Sequence, residues 1–217
     1  MTKQTAHCGG FLLDETMNSF HIEQTLLTHI KSWEHFDDIP LAKENRNFKP
    51  PDGIWGDKSK QALKSAINGG KIITITKNIS LNELLASNTA TARKIDNMPS
   101  QQVLQNLIDA SVNLYQPVRE ILGVAMIISS GYRCPALNKA VGGSKTSAHM
   151  SGFAIDFTAP KFGTPKIIVP HIVKILKQKG IGFDQAIIEY PKSPRSWVHL
   201  GYKHPSGKQR GSSFVIG

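Results

Sequence analysis

The stretch TSAHMSGFAID, residues 146–156, decides how this chain is to be read. It places one histidine, His149, and one aspartate, Asp156, around Gly152 and Ala154. Alternate side chains of a strand share a face. Gly152, Ala154 and Asp156 therefore fall on one side, and Phe153, Ile155 and Phe157 on the other. The bulky side is the core side. The opposite side carries only small residues leading to a carboxylate, which leaves room for an ion or ligand against the backbone.

A second stretch, SWVHLGY (residues 196–202), repeats the arrangement: Val198 and Leu200 share one face, and Trp197, His199 and Gly201 the other. His149, just ahead of the first strand, can supply a third ligand. Two imidazoles and one carboxylate with an open fourth position form the shell of a catalytic zinc site, as opposed to a closed structural one. The expected cofactor is Zn2+. Glu189, in FDQAIIEY (residues 183–190), extends the pattern. A hairpin symmetric about Pro194 sets Glu189 directly across from His199, and opposed residues project to one face. Glu189 shares that face with Gln185 and Ile187 in its own strand. A carboxylate so aimed is what a zinc hydrolase needs to take a proton from water.

Working outward, the 217 residues suffice for one large domain or two small ones, and a hydrophobic content of 40% suits a globular core. The formal charge is +10, but it is unevenly spread. Residues 1–70 carry 8 Lys+Arg against 9 Asp+Glu, whereas residues 71–217 carry 18 against 7. The basic half suits an anionic polymer. Nucleic acid is not the expected partner, because no recognition motif and no aromatic platform accompanies the basic residues. No apolar run is long enough to span a membrane. The start, MTKQTAHCGGFLLDETMNSF, lacks a basic region followed by an apolar one, so the expectation is a chain made and folded in the cytoplasm. Cys8 and Cys134 are expected to be free thiols.

The chain divides into two expected domains, residues 1–70 and 71–217. In the first, HIEQTLLTHIKSWEHF (residues 21–36) spaces Ile22, Leu26, Ile30 and Trp33 as a helix does. A turn follows, and then a helix from Asp57 or Ser59 to Asn68. In the second, Ser80 is placed to cap a helix holding Leu81, Leu84 and Leu85. A longer helix is predicted over residues 100–122, apolar at Leu104, Leu107, Ile108, Leu114, Val118, Ile121 and Leu122, kinked or divided by Pro117 and stopped by Gly123. VAMIISSGYR (124–133) reads as a strand, 166–180 as a helix with Lys174, Lys177 and Lys179 on its wet side, and QAIIEY and SWVHLGY as strands joined by PKSPR. The fold class is α+β: a small, mostly antiparallel sheet with flanking helices holding a zinc site, preceded by a small three-helix domain.

SGYRCPALNKAVGGSKTSAHMSGFAIDF, with FDQAIIEY and SWVHLGY, resembles the D-Ala-D-Ala carboxypeptidase family of zinc peptidases, which includes bacterial carboxypeptidases, vancomycin-resistance dipeptidases and many phage endolysins. The resemblance implies that His149, Asp156 and His199 are the zinc ligands and Glu189 the catalytic base. It implies that Arg133, in SGYR, holds the substrate carbonyl and the developing oxyanion. Ser147 and Gln185 match groups beside the substrate or the ligands, and Trp197 lies on the same face as His199. In several members of the family the catalytic acid stands three residues before the last histidine; here that position is Ser196, which cannot act as the base.

DGIWGDKSKQAL (residues 52–63) resembles the repeat of the three-helix peptidoglycan-binding domain. Both resemblances imply bacterial peptidoglycan as partner and a peptidase of the endolysin type, cutting the stem peptide or cross-link. The expected location is the host cytoplasm, with action on the wall after release through a holin-type pore. Alternatives are a D-alanyl-D-alanine carboxypeptidase acting on wall precursors and a non-catalytic wall-binding protein with a vestigial zinc site. No feature points to a dimer, so a monomer is the default.

Overall fold

The structure, a computed structural model, describes residues 57–217. They belong to a compact unit spanning Trp55–Gly217. The expected helix at 21–36, the turn ahead of Asp57, Trp55 and Cys8 lie outside the described residues.

Helix α1 (Asp57–Asn68) stops where Asn68 meets the glycine pair, Gly70 taking a φ of 79° that an L side chain resists. Helix α2 (Leu81–Leu85) starts at a capping box: Ser80 Oγ accepts from the Glu83 N–H, and Glu83 Oε1 accepts from the Ser80 N–H at 2.6 Å. Ser87 caps the short α3 (Asn88–Ala92), and Ser100 caps α4 (Gln101–Ala110). The predicted break at Pro117 falls one turn earlier than the ring itself. A widened π turn (Ser111–Tyr115) joins α4 to α5 (Gln116–Leu122), with the Gln116 N–H reaching back to the Ser111 carbonyl. The wider turn gives the proline ring space beside the carbonyl four residues before it. Gly123, at a φ of 64°, ends the helix as expected.

Strand β1 (Ile127–Ser130), helix α6 (Pro135–Ala140), a 3-10 turn (Ala148–Ser151), β2 (Ala154–Thr158), α7 (Pro165–Gln178), β3 (Gln185–Glu189), β4 (Trp197–Gly201) and β5 (Ser212–Ile216) follow. The sheet runs β1-β2-β4-β3-β5, antiparallel except for the parallel pair β3 and β5. The fold class is α+β, as the sequence reading expected. Helices α3 and α6, the 3-10 turn and β5 are additions to that reading.

Pairing places Ile155, Phe157, Val198, Leu200, Ala186 and Ile188 on one face of the sheet. Helix α7 packs there, and its Ile168, Ile172 and Leu176 are fully buried. Each such side chain contributes about 1.5–3 kcal/mol on leaving water. The opposite face carries Asp156, His199, Trp197, Gln185, Ile187 and Glu189.

One expectation of register is corrected. Ile187, not Glu189, lies across from His199, and Glu189 pairs with Trp197. The reversal is centred on Ser193 instead of Pro194, because Tyr190 takes a φ of 50° and its carbonyl accepts from the Ser193 N–H at 2.8 Å. Ser196 Oγ closes the loop by donating to the Glu189 carbonyl at 2.8 Å. The pairing moves by two residues, so the face of Glu189 is kept although its partner changes.

Candidate metal centre

Among the described residues, His149, Asp156 and His199 are brought together, with one ligand atom from each lying within 4.8 Å of the others. Three elements deliver them. The 3-10 turn carries His149, β2 carries Asp156, and β4 carries His199, paired directly with Asp156. The turn closes at Gly152, whose φ is 74°, and a Cβ there would stand 2.9 Å from the Val103 carbonyl oxygen. Only glycine lets the chain pass from the turn into β2 so close to α4.

The facing atoms are His149 Nε2, Asp156 Oδ1 and His199 Nδ1. His149 Nε2 lies 3.2 Å from both of the other atoms, which are themselves 2.9 Å apart. A tetrahedral ion with bonds of about 2.0–2.1 Å holds neighbouring donors about 3.3 Å apart, so the triangle fits one face of such a shell. The chemistry of the donors fits as well. His149 Nδ1 lies 2.7 Å from the Gly131 carbonyl, which can only accept, so Nδ1 carries the proton and Nε2 offers a lone pair to the cluster. Burial lowers the pKa of His149 and outweighs the opposing pull of Asp156, which keeps the ring neutral. Burial opposes ionisation of Asp156, but the two imidazoles converging on it hold its carboxyl well below the ordinary range. A neutral imidazole and an ionised carboxylate are the forms that bind metal.

Arg133 reaches the cluster from the segment after β1, with one guanidinium nitrogen 3.8 Å from Asp156 Oδ2. Burial lowers its pKa, and Asp156 and Glu189 raise it. Its Nε is buried without a hydrogen-bond partner among the described residues. Glu189 lies half-buried at the end of β3. Burial first and the charge of Asp156 second raise its pKa, while His199 and Arg133 oppose them. It therefore shares the electrostatic field of the cluster without belonging to the ligand triangle. Gln185 is two residues along the same face, opposite Gly201. Ser147 is half-buried at the start of the 3-10 turn. Trp197 packs its ring 5.1 Å from Tyr190, and its indole N–H is buried without a partner among the described residues.

A cleft of about 430 Å³ opens beside Asp156, lined by Ser129, Thr158, Pro194, Arg195, Ser196 and Trp197. The loop after β3 thus forms one wall of this cleft. Two features of the site had no signal in the sequence. The Gly131 carbonyl orients His149, and Tyr115, fully buried in the π turn, has its pKa raised by burial and by Asp156. Both depend on contacts between distant segments.

A mixed α+β domain with two imidazoles and a carboxylate converging beside an open cleft has the architecture of a metal-dependent hydrolase. Residues 77–199, more than half of the chain, match the sequence profile of the family described as Peptidase M15. The chain belongs to the Peptidase M15 family of zinc-dependent peptidases, which includes the D-Ala-D-Ala carboxypeptidases, and is a metallopeptidase. No curated protein sequence matches the chain.

Proposed function

We propose that this chain is a zinc peptidase that hydrolyses a peptide bond in the stem peptide or cross-link of bacterial peptidoglycan, in the manner of an endolysin. The observation that carries the reading is the convergence of His149, Asp156 and His199 on one face of the sheet, with Glu189 and Arg133 flanking them. Zinc held by the three ligands would polarise the scissile carbonyl and bring the pKa of a water near 7. Glu189 takes the proton from the attacking water and passes it to the departing amine. The Arg133 guanidinium donates to the carbonyl oxygen as negative charge develops on it. The cleft beside Trp197 receives the peptide. The residue 1–70 segment holds the enzyme on its polymeric substrate, which raises the local concentration of cleavable bonds.

The test is digestion of purified Gram-negative sacculi by the full chain and by Glu189→Gln, with and without a chelator, with the fragments weighed by mass spectrometry. Peptide release by the wild type is expected to stop on chelation. The variant should keep its zinc and lose about 10²–10⁴-fold in rate. Fragment masses name the bond, and release of terminal alanine alone would make the enzyme a carboxypeptidase. If wild type and variant both bind sacculi and cut nothing, the chain is a wall-binding protein.

A further inference from the structure

Asn97 stands outside the site and outside the motifs that define it, yet it is a buried polar side chain with every hydrogen-bonding group engaged. Its Nδ2 donates to the Tyr132 carbonyl at 3.0 Å and to the Leu85 carbonyl at 3.2 Å, and its Oδ1 accepts from the Cys134 N–H at 2.8 Å. All three partners are backbone groups of known polarity, so the orientation of the amide is fixed. Tyr132 and Cys134 are the two neighbours of Arg133. The same short segment is tied on its other side: the Tyr132 N–H donates to the Leu84 carbonyl at 2.8 Å, and the Arg133 N–H to the His149 carbonyl at 3.2 Å. Gly131, one residue earlier, orients the His149 ring.

We infer that Asn97 is a positioning residue for Arg133: by clamping the backbone on both sides of it, Asn97 sets where the guanidinium stands relative to Asp156 and the substrate carbonyl. This rests on the reading of Arg133 as the group that stabilises the oxyanion. The long arginine side chain needs such a clamp, because its Nε makes no hydrogen bond of its own among the described residues. Its direction is set by the backbone it leaves.

A double-mutant cycle on the full chain tests this, with Asn97→Ala and Arg133→Ala read as kcat and KM on a soluble muropeptide and as bound zinc. Asn97→Ala is expected to lower kcat by about ten- to a hundredfold while leaving KM and zinc content unchanged. In the Arg133→Ala background the same substitution should change kcat by less than about twofold. An equal loss in both backgrounds, a loss of zinc, or an Arg133→Ala variant as active as the wild type overturns the inference. Where Asn97→Ala does not fold, Asn97→Asp, which keeps the acceptor for Cys134 and loses both donations, enters the same cycle. Crystal structures of the zinc-loaded wild type and variant give a reading independent of activity. A guanidinium displaced from Asp156 supports the inference, and an unmoved one overturns it. That comparison still decides if the wild type cuts no peptidoglycan, an outcome that would sink the proposed function alone.

Discussion

Glu189 shows how burial and a neighbouring charge together bias one carboxyl. Half-buried beside Asp156, it holds a proton more tightly than an ordinary glutamate, whose pKa is 4.5. A cation in the ligand triangle reverses that bias, because a nearby positive charge favours the carboxylate. We therefore expect carbon-detected NMR of the metal-free protein to show Glu189 titrating above its ordinary value, and the midpoint to fall when zinc is added. A metal-free midpoint at or below 4.5 would contradict the burial argument. Under the proposed function, in which Glu189 is the base, it works only when ionised, so activity is expected to rise with pH through the zinc-loaded midpoint. His149 makes a second case. It is 1% exposed and oriented by the Gly131 carbonyl, so His149→Ala removes a pre-oriented candidate ligand. Zinc affinity, measured by competition with a chromophoric chelator, should fall by at least about 10²-fold. His149, Asp156 and His199 were legible as a set in the sequence because strand parity and the motif select them. Asn97 was not, since its partners Leu85, Tyr132 and Cys134 are joined only by the fold.

At the scale of elements, the close approach of α2 to the end of β1 is built around Gly131. A Cβ there would sit 2.3 Å from the Leu84 carbonyl oxygen, the acceptor of the Tyr132 N–H. Gly131→Ala must therefore push the two segments apart, at a cost of about 1–3 kcal/mol in unfolding free energy measured by denaturant titration. Strand β5 is held differently. Arg210, just before it, makes a two-pronged pair with Asp184, at 2.6 Å from Nε to Oδ1 and 2.6 Å from Nη2 to Oδ2. Asp184 is 1% exposed, so Arg210→Ala leaves a buried carboxylate short of partners, and a loss of about 1–3 kcal/mol follows. Hydrogen exchange of the β5 amides should accelerate in that variant more than exchange in β2. The sequence reading did not foresee β5, because SSFVI pairs in parallel with a strand more than twenty residues earlier and its side chains stay mostly exposed. Burial leaves no alternating pattern in such an edge strand.

For the whole molecule, the metal and the charge are the large-scale variables. An ion bound to the folded site but weakly to the unfolded chain stabilises by mass action. Chelation should therefore lower the thermal midpoint, and zinc should restore it in a concentration-dependent way. If the midpoint is indifferent to chelator, the triangle does not hold an ion in solution. No helix among the described residues is long and apolar enough to cross a membrane. The segment from residue 71 onward carries 18 Lys+Arg against 7 Asp+Glu, which favours encounter with an anionic polymer, such as the proposed wall substrate, and makes that encounter sensitive to salt. The sequence by itself determined the Ser80 cap, the Gly123 stop, the strand parities and the α+β class, because each depends on spacing within a segment, and it singled out the three candidate ligands by parity in two segments together with the motif. Only the tertiary structure decided that Glu189 faces Trp197 instead of His199, that Gly131 orients His149, and that Asn97 clamps the neighbours of Arg133. These depend on loop conformation and on backbone groups that meet across long stretches of chain, and a carbonyl or an N–H carries no residue-type signature by which spacing could reveal it.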